Sequence, residues 1–204
     1  MSFYQHHILP PLLNFVMRQK PLQPFRERVI SQAVGNVLEI GIGSGLNLPL
    51  YKYGVHSVTG VEPSSELLAM AEQQAKRATV PIELLHASAE SLPLESNSVD
   101  TVVTTWALCT IPDANAALQE ARRVLRPGGK LLFVEHGRAP EKGVARWQDR
   151  IDPLWGLIAG GCHLNRQIDA LITEAGFQID TMRHARMPGP RTHNFLYEGQ
   201  AHPQ

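Results

Sequence analysis

The chain has 204 residues, enough to bury one full hydrophobic core, and its 43% hydrophobic and 19% charged fractions exclude a disordered or fibrous protein. Lysine plus arginine equals aspartate plus glutamate at 19 each, and the sequence pI is about 7.1, so the chain lacks the global basic field that nucleic-acid binding draws on. No apolar run is long enough to span a bilayer, and two cysteines, Cys109 and Cys162, make no disulfide framework, which agrees with a reducing, cytoplasmic setting.

Pro10 and Pro11 suit a helix start, and Leu12, Leu13, Phe15 and Val16 give that helix an apolar side. A second amphipathic helix spans 25–33. Together they make residues 1–34 a helical lid over a substrate site, with peripheral membrane contact as the lesser reading. Residues 35–204 form the main domain. Gly35-Asn36 is a turn signal, Val37 to Ile40 a buried strand, and Gly41, Gly43 and Gly45 follow at alternate positions. A strand that opens into three alternating glycines is a backbone built for close approach, and the LNLPLY segment after it can start a helix.

His56 to Glu62 reads as the second strand, stopped by Pro63. Ser64 or Ser65 caps a helix running to about Ala78. Ile82 to Ala87 is a third strand, and the Val- and Thr-rich run from Val99 opens the fourth. A helix after Pro112-Asp113 ends at the Arg126-Pro127-Gly128-Gly129 stop. Lys130 to His136 is the fifth strand. Residues 137–161 read as irregular, 165–175 as a helix, and the segments from Phe177 and Thr192 as a final antiparallel pair. Strands alternating with helices predict right-handed crossovers and a mostly parallel sheet covered on both faces. Its ligands should lie beyond the carboxyl ends of the strands.

Glu62 ends the second strand, where a carboxylate can accept both hydroxyl hydrogens of a ribose. The glycine spacing is G-x-G-x-G, not the G-x-G-x-x-G of a dinucleotide loop, and Glu39 stands two residues ahead of it. A carboxylate beside a pyrophosphate is unfavourable, whereas one beside an ammonium or sulfonium is favourable, so the pattern turns from NAD towards S-adenosylmethionine.

The segments VLEIGIGSG, VTGVEPS, HASAESLPLESNSVDTVVTTWAL and LRPGGKLLFVEH, in this order, resemble the class I S-adenosylmethionine-dependent methyltransferases. The resemblance implies a Rossmann-like, doubly wound, mostly parallel seven-stranded sheet with an antiparallel C-terminal strand. It places Glu39, Gly41, Gly43 and Gly45 around the methionine part of the cofactor and Glu62 on the ribose. Pro63 then borders the adenine, Ser88, Ala89 and Glu90 edge its far side, and Thr105 with Trp106 lines the floor near the sulfonium. Many relatives carry Asp where this chain has Ser88. A second resemblance, to the thiol methyltransferase branch of the methyltransferase-like proteins, rests on LCTIPD, on EH after the fifth strand, and on W-Q, D-P-x-W and G-C-x-L-x-R between Trp147 and Arg166. It implies a small-molecule acceptor, a thiol among the choices, with S-adenosylhomocysteine as product.

The acceptor pocket draws on Tyr4, His7, Trp106, His136, Asp152, Trp155, His163 and His193. His136 is read as a general base or as a histidine that holds the next loop. Asp152 shapes the pocket with Trp155 or caps a helix beginning near Pro153, and the cap is favoured. Cys162-His163 and His6-His7 have no spaced partners, so no metal is expected. The chain is expected as a monomer or homodimer. The alternatives are a methylase of a macromolecule or lipid head group, a non-catalytic S-adenosylmethionine binder, and an NAD-dependent oxidoreductase.

Overall fold

The computed structural model describes residues 3–204. Seven strands form one sheet: β1 (Gly35–Ile40), β2 (Val55–Val61), β3 (Ile82–Leu85), β4 (Val99–Thr105), β5 (Leu125–His136), β6 (Phe177–Arg186) and β7 (Phe195–Pro203). Their order is β3-β2-β1-β4-β5-β7-β6. The first five run parallel, and β7 lies antiparallel to β5 and β6. The doubly wound fold expected from the alternating pattern is therefore the fold found. The helices are α1 (Leu9–Met17), α2 (Gln23–Ile30), α3 (Ser65–Ala75), α4 (Ala114–Val124), α5 (Lys142–Ile158) and α6 (Ile168–Glu174). A single wide π-type turn, Tyr4–Ile8, precedes α1.

Side chains on a strand alternate between faces, and the two cores follow that period. Leu38 and Ile40 of β1 join Val102, Leu131 and Phe133 under α4 and α6. Val37 joins Val58, Val103, Leu132 and Val134 under Val29 and Ile30 of α2. The α4 stripe is Ala114, Ala117, Leu118, Ala121 and Val124, capped by Asp113, whose carboxylate accepts the Ala116 N–H at 2.9 Å. The Arg28 guanidinium grips Glu198 with two hydrogen bonds of 2.7 and 2.8 Å, fastening α2 to β7.

Register decides what meets at the carboxyl ends. Ile40 pairs with Val61 on one side and Thr104 on the other, and Thr105 pairs with Val134. Gly41, Glu62, Thr105 and the end of β5 thus emerge side by side at the point where strand order reverses between β1 and β4.

Several local expectations change. Residues 137–161 are not irregular: α5 fills 17 of them. Gly143, Pro153 and Gly156 obscure the helical period, but Ala145, Gln148 and Asp152 form its buried stripe. Asp152 is consequently no helix cap; it sits inside α5. The β5 strand starts at Leu125, which pairs with Val99; Arg126–Gly129 then bulge out, with Gly128 at φ of +81°, before pairing resumes between Lys130 and Thr101. LNLPLY makes only a 3-10 turn, Leu48–Leu50.

Candidate active site

The loop after β1 is built on left-handed glycines. Gly41, Gly43 and Gly45 have φ of +66°, +55° and +76°. A Cβ at Gly41 would stand 2.5 Å from the Ala107 Cβ, and one at Gly45 would stand 2.9 Å from the Ala71 Cα, so those two glycines allow close internal packing. A Cβ on Gly43 would meet nothing nearer than the Gly41 carbonyl at 4.0 Å. Gly43 is therefore the place where the backbone itself lies open to a ligand. The Gly41 and Ile42 N–H groups donate to the Val61 carbonyl, which fixes the loop to β2.

Glu62 is 7% exposed. Its carboxylate accepts the Gly43 N–H at 3.0 Å and the Ser64 N–H at 3.0 Å. Burial pushes its pKa up, and those two N–H groups oppose the shift. Ser64, not Ser65, caps α3: its hydroxyl accepts the Leu67 N–H at 3.3 Å. Pro63 is exposed at the loop edge, and its carbonyl lies 2.9 Å from the His86 ring. Ser88 and Glu90 form a local turn, with the Ser88 hydroxyl donating to Glu90 at 2.8 Å and Glu90 accepting the Asp113 N–H at 2.7 Å. Ala89 is buried between them.

Glu39 lies on the Val37 face of β1, behind the loop, and is 1% exposed. Its carboxylate accepts the Asn47 amide at 2.7 Å and the Tyr51 hydroxyl at 2.7 Å. Asn47 also donates to the Thr105 hydroxyl at 3.0 Å and accepts from Arg26 at 2.9 Å. The Arg26 guanidinium lies 4.8 Å over the Trp106 ring. Trp106 holds φ of +52°, unusual for a bulky residue and maintained by its N–H bond to the Val134 carbonyl. Arg26, Asn47 and Tyr51 are thus site residues that sequence reading did not single out. They lie 13, 8 and 12 positions from Glu39 but outside its strand, and only their polarity among apolar neighbours hinted at a buried network.

Burial raises Glu39 to about 7, against the lowering effect of Tyr51, Asn47 and Arg26. A group whose folded pKa exceeds its unfolded value of 4.5 binds more protons when folded, so its contribution to stability falls as pH rises from 4.5 towards 7. Glu39→Gln removes that dependence while keeping an acceptor for Asn47. Its stability relative to the wild type should rise by about 3 kcal/mol between about pH 4.5 and pH 8. Urea unfolding midpoints at the two pH values measure this, and parallel curves would place the raised ionisation elsewhere.

On the other side of Trp106, the second group of motifs converges. Asp152, in α5, accepts the Leu164 N–H at 2.6 Å and contacts the His163 ring at 2.9 Å. The His163 N–H in turn donates to the Cys109 carbonyl at 2.7 Å. Arg166 donates to the carbonyls of Leu108, Ile111 and Pro112. Gln148 closes the loop after β5, donating to the Gly137 carbonyl and accepting the Ala139 N–H. These bonds strap the segment 162–166 against the loop 108–112, and the Cys162 and Cys109 sulfurs come to 3.7 Å from each other. Cys109, fully buried, has its thiol pushed up first by its bond with Cys162 and then by burial. Cys162 is drawn down to about 4, chiefly by the same bond.

His136, 5% exposed, ends β5 beside this pair, and its Nε2 is buried without a hydrogen-bond partner. Trp106 Nε1, Trp155 Nε1 and His193 Nε2 share that condition. Trp155 and His193 touch edge to face at 4.4 Å between ring centroids. Buried polar atoms are normally satisfied, and these four ring nitrogens, from separate elements, lack a closed hydrogen bond, with the His136 and Trp155 rings turned to the Cys162 sulfur; such a cluster suits a bound molecule. Of the expected pocket residues, Trp106, His136, Trp155 and His193 bear such atoms. Asp152 and His163 support them from behind. His7 is exposed and packs on Phe3 instead.

The loop fits the adenosine and amino-acid ends of S-adenosylmethionine: an open backbone at Gly43, a buried carboxylate at Glu62 held beside it, and no cationic phosphate clamp in the glycine loop. Comparison with known proteins agrees. A family model described as "Methyltransferase domain" matches residues 38–133. Thiol S-methyltransferase TMT1B from Homo sapiens is 31% identical over 194 residues, covering 92% of this chain and 78% of the human protein. TMT1B from Rattus norvegicus is 36% identical over 145 residues, covering 69% of this chain but only 59% of the rat protein. The crystal structure of a SAM-dependent methyltransferase from Methanosarcina mazei matches with a TM-score of 0.66 and 25% identity, over 82% of this chain and 92% of that one. Among the described residues, no helix is long and apolar enough to cross a membrane. With the human relative aligned along nearly the whole chain and the glycine loop opening at the switch point of the sheet, the protein belongs to the class I S-adenosylmethionine-dependent methyltransferases, and S-adenosylmethionine is its cofactor.

Proposed function

We propose that this methyltransferase acts on a small thiol. The observation that carries the reading is spatial: residues of the EH, D-P-x-W and G-C-x-L-x-R motifs, distant in sequence, gather around one buried set of partnerless ring nitrogens. The human and rat relatives, both thiol S-methyltransferases, support it. When bound, S-adenosylmethionine supplies a methyl group already activated by its sulfonium, so the protein's task is to place the acceptor in line and exclude water.

In this reading Glu62 holds the ribose, and Gly43 with its neighbours carries the methionine end. Glu39 stabilises the loop from behind through Asn47 and Tyr51. Trp106 separates the cofactor from the acceptor, and His136 meets the acceptor sulfur. Trp155 and His193 give the acceptor an aromatic wall, while Asp152 positions the 162–164 segment. Residues 1–34 act as the lid. Its described part reaches both halves of the site: Asn14 accepts the Ser44 hydroxyl at 2.9 Å beside the glycine loop, and Tyr4 donates to the Ile158 carbonyl at the end of α5 at 2.6 Å.

Labelled-methyl transfer to a panel of small thiols, amines, phenols and phosphatidylethanolamine vesicles tests the acceptor. Thiols should be methylated and the other classes left near background. His136→Ala should lower turnover with the thiol roughly 100-fold, the effect of a misplaced acceptor, and leave cofactor affinity within about threefold. Preferential labelling of an amine or a lipid would replace the thiol reading, and wild-type turnover in the variant would remove His136 from the acceptor.

A further inference from the structure

No metal is expected from the sequence because neither adjacent pair, Cys162-His163 or His6-His7, has partners at metal-binding spacing. The fold supplies a different set. Cys109 lies in the loop after β4, His136 at the end of β5, and Cys162 in the segment after α5. The two sulfurs and a ring nitrogen of His136 all lie within 4.8 Å of one another. We infer that Cys109, His136 and Cys162 form a binding site for one zinc(II) ion, with the fourth coordination position open to an exogenous thiolate.

Four features support this. Two thiolates on a tetrahedral zinc with bonds of about 2.3 Å stand about 3.8 Å apart, and these sulfurs stand 3.7 Å apart. That spacing is also far beyond a disulfide bond length, so the pair is held as two thiols. His136 Nε2 is buried without a closed hydrogen bond, and the ring stands against the Cys162 sulfur, so a nitrogen donor is already aimed at the pair. Finally, two thiolates and a divalent cation sum to zero, so the three ligands and the ion together add no net charge to the buried site.

Three protein ligands of the Cys2His type with one open position are the arrangement of a reactive zinc centre, not of a closed structural one. The supports are also those of a built site. Asp152 and the Cys109 carbonyl hold the backbone around Cys162 in place, and Arg166 clamps the loop that carries Cys109. His136 then meets the acceptor sulfur as a metal ligand beside it. That last link rests on the thiol reading above; the metal site itself does not.

The test uses the full reduced chain, stripped with a chelator and titrated with zinc chloride, and with cobalt chloride as a spectroscopic probe. One zinc per chain by native mass spectrometry is expected, with a thiolate-to-cobalt charge-transfer band. Cys109→Ser and Cys162→Ser should each weaken zinc binding by at least about 100-fold. S-adenosylmethionine affinity, measured by calorimetry, should stay within about threefold in Cys162→Ser and so report an intact fold. A reduced wild type that takes up no zinc, or zinc binding unchanged in both serine variants, overturns the site, as does air oxidation to a Cys109–Cys162 disulfide in a protein that binds no metal when reduced. Because the readout is metal binding, a protein that methylates thiols without binding zinc refutes this inference alone. One that binds zinc but methylates only amines refutes the acceptor reading alone.

Discussion

Glu62→Ala should weaken S-adenosylmethionine binding roughly 10- to 100-fold, the equivalent of about 1–3 kcal/mol for a lost set of buried hydrogen bonds to a charged acceptor. The size follows from where Glu62 sits. It is nearly buried, it closes β2 beside the open backbone of Gly43, and its carboxylate already accepts the Gly43 and Ser64 N–H groups. Those two bonds hold the carboxylate in place before the ribose arrives, so little ordering remains to be done on binding. Glu62→Gln keeps one acceptor oxygen and should fall between the alanine variant and the wild type. Calorimetric titration measures all three, and equal affinities would take Glu62 off the ribose.

The largest effect on stability should come from Arg26→Ala, a loss of about 3–5 kcal/mol at about pH 8, the range for breaking a buried charge pair from one side. Arg26 is 7% exposed and touches three groups, the Asn47 amide oxygen, the Met17 carbonyl and the Trp106 face, while its charge acts on Glu39 through Asn47. Burial lowers its pKa only to about 10, so it remains a cation at neutral pH. Its removal leaves Glu39 without a countercharge. The carboxyl can then bind a proton, so the loss should shrink as pH falls below about 7, where Glu39 is neutral in the folded protein. Arg26→Lys should not restore stability, since an ammonium cannot stack flat on Trp106 and also bond to Asn47 and Met17. Urea unfolding at two pH values reads both claims. A loss under about 1 kcal/mol at the higher pH would show the network to be dispensable.

Both expected results concern residues whose legibility in the sequence differs. Glu62 could be read from its place at a strand end after the glycine loop, because strand, stop and helix cap are contiguous from Val55 to Ser65 and each has its own local signal. Arg26 could not. It belongs to α2, a separate element 13 positions before Glu39 and 80 before Trp106, and only the packing of α2 over the Val37 face of β1 brings them together. The α5 helix was hidden for another reason. Pro153 lies inside it, and two glycines interrupt its pattern. Its burial against the loop after β5, with Gln148 and Asp152 turned inward to bond backbone groups, compensates for those breakers.

By itself the sequence determined the half of the protein around the glycine loop: five strands alternating with helices and therefore parallel, the loop itself, the carboxylate after β2 and the final antiparallel pair, though not the order in which the strands lie side by side. These rest on hydrophobic period, turn chemistry and glycine spacing, which act over a few residues and are written along the chain. In the other half the sequence names His136, Trp155 and His193 for the acceptor pocket, but only the tertiary structure decided that they gather and that Cys109 and Cys162 join them. Cys109, His136, Trp155, Cys162 and His193 come from different elements, and they meet because long-range hydrogen bonds from Asp152, Gln148 and Arg166 fold α5 and its following segment onto the ends of β4 and β5. Contacts made across the fold leave no period and no spacing in the sequence to read.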